Sequence, residues 1–167
     1  SLYHDDVMDE AEMRRNVPSV NAVWGNHTAI LAGDFLLARA SEIAASLGTE
    51  IAALLARPIG ELCEGQILEL QSTYKPSRTE TSYAQSIAGK TASLLSTACR
   101  IGGLTAGLER RTVDQLTTFG HTYGMAFQIV DDILDVIATE DQLGNRQVTT
   151  LSKGYIHYRF FSRWNQM

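Results

Sequence analysis

Six of the nine aspartates in this chain stand in two copies of one pattern, Asp-Asp-x-x-Asp. The first acidic motif is Asp5, Asp6 and Asp9, and the second acidic motif is Asp131, Asp132 and Asp135. Residues four apart lie on the same side of a helix, so each motif would gather its carboxylates along one side. Carboxylates suit hard cations such as Mg²⁺, which also binds water and substrate phosphate oxygens. The pair of motifs therefore predicts a diphosphate site bridged by several ions, whereas a solvated acidic face is the alternative for a single motif.

Basic residues near these motifs could bind the diphosphate. Arg14 and Arg15 follow the first motif, and arginine forks match phosphate oxygens. Favourable charges at a helix C-terminus are the alternative interpretation. Lys90 and Thr91 stand among small residues between Ala88 and Ser93, which would let a ligand approach the backbone closely.

The composition indicates one globular domain. The chain has 167 residues, of which 44% are hydrophobic and 20% charged, and its net charge of −5 offers no basic surface for nucleic acid. No apolar run approaches the roughly 20 residues that span a bilayer, and there is no signal-peptide pattern. We therefore expect no transmembrane segment and a cytoplasmic location. Cys63 and Cys99 lack the spacing of a zinc site.

Helices are predicted almost throughout, because stop signals separate long apolar stretches and strand signals are nearly absent. After the first acidic motif, the expected helices run from Ser19 to Gly48, from Thr49 to about Ser72, from about Thr79 to Gly102, and from about Glu109 to Ala138. The helix from Ser19 is apolar on almost every side, which predicts an interior position where Asp34 must find a partner. In the last helix, Gln128 shares a polar row with the second motif. The predicted fold class is an all-α helical bundle.

Several motifs in order resemble the trans-isoprenyl diphosphate synthases, the polyprenyl synthetase family, up to about Gly144. They are Ser1 to Asp9 followed by Arg14-Arg15, then Ala32-Gly33-Asp34, Glu64-Gly65-Gln66, Gly89-Lys90-Thr91-Ala92, and Phe127 to Asp135. The resemblance implies an antiparallel bundle of the isoprenoid (terpenoid) synthase type and a homodimer. Peripheral membrane contact would suit a lipophilic product.

The resemblance also implies a reaction and residue roles. A trans-prenyltransferase of isoprenoid biosynthesis ionises an allylic prenyl diphosphate with Mg²⁺, and isopentenyl diphosphate then attacks the cation and loses a proton. Both acidic motifs would hold several Mg²⁺ ions, with Mn²⁺ as a substitute. By the same resemblance, Arg14 would clamp the allylic diphosphate and Arg15 the homoallylic one. Lys90 would neutralise the leaving group, while Thr91 and Gln128 would support the cation.

The resemblance leads to two further expectations. Ser1 occupies the position four before Asp5, where a small residue leaves the product tunnel open, so a medium- or long-chain product is expected. The chain begins inside the first motif's helix and departs from the family pattern after the second motif, which predicts a fragment truncated at both ends. We expect a partial polyprenyl synthetase domain at 1–144 and an atypical tail at 145–167, frameshifted or disordered, with surface docking as the alternative.

Other protein classes fit less well. A class I terpene cyclase usually carries an Asn/Asp-Ser-Glu second metal site, which the second acidic motif argues against. A di-iron bundle would need Glu-x-x-His pairs, and no glutamate here has a histidine three residues later. Two alternatives of the same fold stay open, a catalytically incomplete fragment and a non-catalytic partner subunit.

Overall fold

A computed structural model describes residues 1–72 and 79–137, except for the side chains of residues 72 and 135–137. The elements in order are α1 (Leu2–Met8), β1 (Met13–Arg14), β2 (Val17–Pro18), α2 (Val20–Trp24), α3 (Asn26–Ser46), α4 (Thr49–Ser72), α5 (Glu80–Ile87), a π-helix (Ala88–Ala92), α6 (Ser93–Thr105) and α7 (Arg110–Ile137). They fall into two compact units that divide between Ala52 and Ala53. The predicted loop at 74–78, the boundary at 144 and the tail lie outside the described residues.

In the first unit, individual residues determine where the helices begin and end. The Ser19 hydroxyl accepts a hydrogen bond from the Ala22 amide and so caps α2, where the sequence predicts a helix start. Gly25, at φ +82°, then separates α2 from α3, so the single helix predicted from Ser19 is two helices. The prediction was wrong there because the intervening residue adopts a backbone conformation that glycine tolerates and a helix excludes.

Helix α3 packs against α1 and α2, which leaves much of its surface uncovered in the described chain. The side chains of Leu31 and Phe35 are 68% and 65% exposed, and that of Asp34 is 61% exposed. The predicted interior position of this helix is therefore wrong for the described structure. Its apolar residues lie on all sides, and the residues of this helix that are buried in the described chain, Ala29, Gly33 and Ala44, share one side.

The second unit begins with most of α4, which passes through Pro58 without ending. The helix predicted from Thr79 to Gly102 is present as three consecutive segments, α5, the π-helix and α6. Thr79 caps α5 by accepting a hydrogen bond from the Ser82 amide. The π-helix covers the Gly-Lys-Thr motif, and such wide turns often mark functional sites.

Helix α7 packs closely on the π-helix and α6 because two glycines face them. A Cβ at Gly120 would lie 2.7 Å from the Leu95 carbonyl oxygen, and a Cβ at Gly124 would lie 2.6 Å from the Ala92 Cα. The two glycines are one helical turn apart, so together they form a smooth strip that lets the backbones meet.

The predicted all-α class is confirmed, since the described part of the chain has only two two-residue strands besides its helices. None of the described helices is long and apolar enough to cross a membrane.

Candidate functional site

The first acidic motif occupies the last turn of α1. Asp9 follows the final helical residue, yet its backbone is still in the α region and its amide donates to the Asp5 carbonyl at 2.9 Å. The motif therefore keeps the helical spacing that the sequence predicts, although α1 itself ends at Met8.

Arg14 binds the first acidic motif from the neighbouring hairpin. Its Nε donates to Asp6 Oδ1 at 2.7 Å, and one terminal nitrogen lies 2.5 Å from the same oxygen and 3.3 Å from Asp5 Oδ2. Asp6 is 2% exposed, so its carboxylate needs a partner of this kind. Burial alone would lower the pKa of Arg14, but the hydrogen bond and charge of Asp6, and then those of Asp5, raise that pKa above its usual value.

The hairpin that presents Arg14 has a two-residue turn made of Arg15 and Asn16. Both have left-handed backbones, with φ of 52° and 65°, which matches the turn type that tight antiparallel hairpins prefer. Arg14 consequently points towards α1, whereas Arg15 lies exposed at the tip. The structure thus separates the two arginines that the sequence places side by side.

The side chain of His4 connects α1 to α3 through polar contacts. Its Nε2 donates to the Ile30 carbonyl at 3.0 Å and lies 3.3 Å from Asp34 Oδ1, which gives Asp34 the partner that the sequence analysis required. Gly33 allows this approach, because a Cβ there would lie 2.5 Å from His4 Nε2. The residue preceding the first acidic motif is therefore tied to the neighbouring helix.

In the second acidic motif, Asp132 ends a chain of hydrogen bonds. The Thr91 hydroxyl donates to Gln128 Oε1 at 2.6 Å, and Gln128 Nε2 donates to Asp132 Oδ1 at 2.9 Å. The Tyr83 hydroxyl donates to the other oxygen, Asp132 Oδ2, at 2.5 Å. Three residues proposed from the sequence therefore meet here, while Asp135 lies in α7 with its side chain outside the described set.

Burial raises the pKa of Asp132 above its usual value, and the negative charges of Glu69 and Asp131 add to the rise. The hydrogen bonds from Tyr83 and Gln128 act in the opposite direction and are outweighed. A cation at this position would offset the burial of the Asp132 carboxylate and the charges of Glu69 and Asp131.

Lys90 projects from the π-helix to Glu69 on α4, with Nζ 2.8 Å from Oε2. The two helices can meet because Gly65 and Gly89 pack backbone against backbone. A Cβ at Gly89 would lie 2.5 Å from the Glu61 carbonyl oxygen. The Gly-Lys-Thr motif is thus held by helix packing, with Lys90 and Thr91 bonded to different neighbours.

The donor set suits a hard divalent cation because the motif side chains are carboxylates. Asp5 and Asp6 both pair with the positively charged guanidinium of Arg14. Among the described side chains, which do not include that of Asp135, no three His, Cys, Asp or Glu residues are grouped to hold a metal ion.

Two residues of the site, Tyr83 and Glu69, were not predicted from the sequence. Tyr83 stands seven residues before Lys90, about two helical turns, so its placement on the same side as the Gly-Lys-Thr motif was a usable signal. Glu69 had no such signal, because its contact with Lys90 depends on how α4 packs.

Comparison with known proteins gives consistent matches. The family model for polyprenyl synthetases matches residues 1–160. A nonaprenyl diphosphate synthase from Mycobacterium tuberculosis is 43% identical over 154 residues, covering 92% of this chain and 46% of that protein.

Two solved structures share the fold. A heptaprenyl diphosphate synthase from Staphylococcus aureus has a TM-score of 0.90 at 32% identity, covering 99% of this chain and 52% of that one. A polyprenyl synthase from Caulobacter crescentus, complexed with calcium and isoprenyl diphosphate, has a TM-score of 0.86 at 31% identity, covering 93% and 48%. These likenesses confirm the predicted bundle type, and the chain spans about half the length of the relatives it matches.

Proposed function

Because the chain belongs to the polyprenyl synthetase family, we propose that it supplies the diphosphate-binding part of a trans-prenyltransferase of isoprenoid biosynthesis. The observation that carries the proposal is that each acidic motif stands in helical geometry with its expected neighbours bonded to it. Arg14 contacts the first motif, and Gln128 contacts the second. A solvated acidic face would not need such partners.

The proposed reaction joins an allylic prenyl diphosphate to isopentenyl diphosphate. The allylic carbon–oxygen bond breaks, and diphosphate leaves with the electron pair. The double bond of isopentenyl diphosphate then forms a carbon–carbon bond to the allylic cation, and loss of one proton gives a prenyl diphosphate five carbons longer. The protein has to stabilise a departing anion and a transient cation, so preorganised charges and dipoles suffice without a protein nucleophile.

We propose that both acidic motifs hold Mg²⁺, with Mn²⁺ as a substitute. When bound, the ions would neutralise the negative charge that builds up on the departing diphosphate. Asp5, Asp6 and Asp9 would provide ligands in the first unit, and Asp131, Asp132 and Asp135 in the second. The carboxylate donors, two of which pair with the positively charged side chain of Arg14, support this assignment.

The basic residues would bind the substrates' phosphates. Arg14 would clamp the allylic diphosphate by exchanging its bonds to Asp5 and Asp6 for phosphate oxygens as metal takes its place. Arg15 is exposed and would bind the diphosphate of isopentenyl diphosphate. Lys90 would break its ion pair with Glu69 and neutralise the departing diphosphate.

Thr91 and Gln128 would stabilise the allylic cation through their dipoles. Gln128 Oε1 accepts from Thr91, and Gln128 Nε2 donates to Asp132, so the amide is already held in one orientation. A fixed dipole costs little reorganisation during the reaction, which is the physical basis for this role.

A homodimer is part of the proposal. The exposed apolar residues of α3, including Leu31 and Phe35, offer a surface that a second copy could cover. A medium- or long-chain product, a cytoplasmic location, peripheral contact with a membrane, and a partial domain at 1–144 followed by an atypical tail stay predictions.

The test is incorporation of radiolabelled isopentenyl diphosphate with Mg²⁺ and farnesyl or geranylgeranyl diphosphate as starter. Asp132→Asn is expected to abolish the label in extracted prenyl product. Asp114→Asn changes another aspartate of α7, which pairs with Arg100 on the surface, and should keep activity. No incorporation by a folded wild-type chain would favour the incomplete or non-catalytic alternatives, and equal loss in both variants would contradict the assigned motif.

A further inference from the structure

Tyr83 is bonded to the second acidic motif from a different helix. It lies on α5, and its hydroxyl donates to Asp132 Oδ2 across 49 residues of sequence. Gln128 donates to Asp132 Oδ1 from one turn earlier on α7. Among the described residues, each carboxylate oxygen of Asp132 therefore receives one hydrogen bond, and the two together fix the plane of the group.

The two donors orient Asp132 without neutralising it. A phenol and an amide carry no charge, so the carboxylate keeps its attraction for a cation. Each carboxylate oxygen has two lone pairs, so these two hydrogen bonds use only one acceptor position on each oxygen. The first acidic motif differs, because its Asp6 is held by the charged Arg14, which a metal ion would have to displace.

The position of Tyr83 is itself fixed by packing. Ser86, three residues later on α5, is buried and donates to the Gly65 carbonyl at 3.0 Å. Ile87 beside it is buried as well. The helix that carries Tyr83 is therefore anchored on α4 within one turn, so its hydroxyl meets Asp132 from a fixed point.

We propose that Tyr83 is a positioning residue for the second acidic motif, holding the Asp132 carboxylate in the orientation that binds the metal ion. This inference rests on the proposed function, because it concerns the same site. Groups that orient metal ligands typically change metal affinity by about 10- to 100-fold when removed. Tyr83→Phe removes only the hydroxyl and keeps the ring.

The experiment compares Tyr83→Phe with Tyr123→Phe, which removes the hydroxyl of an exposed tyrosine on α7. Calorimetric titration with Mg²⁺ at saturating inorganic diphosphate measures the Kd for the ion. We expect Tyr83→Phe to weaken Mg²⁺ binding about tenfold and Tyr123→Phe to leave it unchanged. Raising Mg²⁺ tenfold should restore isopentenyl incorporation to Tyr83→Phe, which a merely structural defect would not allow.

A Kd for Tyr83→Phe within twofold of that for Tyr123→Phe would overturn the inference. So would an activity loss that Mg²⁺ fails to restore. The Asp132→Asn variant shows whether a negative result concerns only Tyr83 or the proposed function as well. If wild type binds Mg²⁺ with diphosphate and Asp132→Asn does not, only the role of Tyr83 is at stake, whereas no binding by wild type overturns both.

Discussion

Replacing Gly124 by alanine should force α7 away from the π-helix. The new Cβ would stand 2.6 Å from the Ala92 Cα and 3.1 Å from the Ala92 Cβ, whereas ordinary contact begins at 3.4 Å. The helices would have to separate by about 0.8 Å, the difference between 2.6 and 3.4 Å. Backbone is the nearest obstacle, so a simple side-chain rotation cannot relieve the clash.

Two opposing effects set the magnitude. Alanine is favoured over glycine within a helix by about 1 kcal/mol. Overpacking of a tight interface costs about 1–3 kcal/mol, and the upper end applies where backbone must move. The clash therefore wins, and we expect Gly124→Ala to lower the free energy of unfolding by about 1–2 kcal/mol. The same displacement would stretch the 2.6 Å bond between Thr91 and Gln128 and reduce activity.

The assay is urea unfolding followed by circular dichroism, with Gly102→Ala as the matched control. Gly102 is also in a helix, but a Cβ there meets nothing within 4 Å. Gly102→Ala should therefore raise the free energy of unfolding by about 0.5–1 kcal/mol, since only helix propensity changes. If Gly124→Ala proved as stable as Gly102→Ala, the close packing of α7 on the π-helix would be refuted.

The remaining predictions concern the two acidic motifs. Arg14→Met should lower the free energy of unfolding in urea by about 3 kcal/mol, because Asp6 would be left buried without its cation. Arg39→Met, which breaks an exposed pair with Glu42, should change it by less than about 1 kcal/mol. Asp132→Asn should stabilise the metal-free chain at neutral pH while abolishing prenyl transfer. Since folding raises the pKa of Asp132, its ionisation weakens the fold as pH rises through that value, so the advantage of the Asn variant should vanish at low pH.

Equal stability of Arg14→Met and Arg39→Met would mean that Arg14 does not stabilise the buried carboxylate of Asp6. If the stability advantage of Asp132→Asn over the wild type grew as pH fell, folding could not raise the pKa of Asp132.

Local sequence signals predicted much of the fold. Ser19 and Thr79 cap helices as their types suggest, and the second acidic motif lies on the long last helix. The break at Gly25 was not predicted, because a single glycine in an apolar stretch is also tolerated within helices. The π-helix was missed because its residues have ordinary helix-forming patterns.

The site was predictable only where its partners are close in sequence or share a recognised motif. Arg14 lies eight residues from Asp6, so its contact follows from the short connection. Tyr83 and Asp132 are 49 residues apart, and their contact depends on how α5 packs beside α7. The exposure of α3 likewise depends on which helices cover it, which its own periodicity does not encode.

The most direct test of prenyl transfer is diphosphate release from an allylic prenyl diphosphate, measured with and without isopentenyl diphosphate and Mg²⁺. We expect release only when isopentenyl diphosphate and Mg²⁺ are both present, with one diphosphate freed for each five-carbon unit added. Release without isopentenyl diphosphate would indicate hydrolysis or cyclisation instead. Transfer that persists after divalent ions are removed would contradict the metal-binding role of the two acidic motifs.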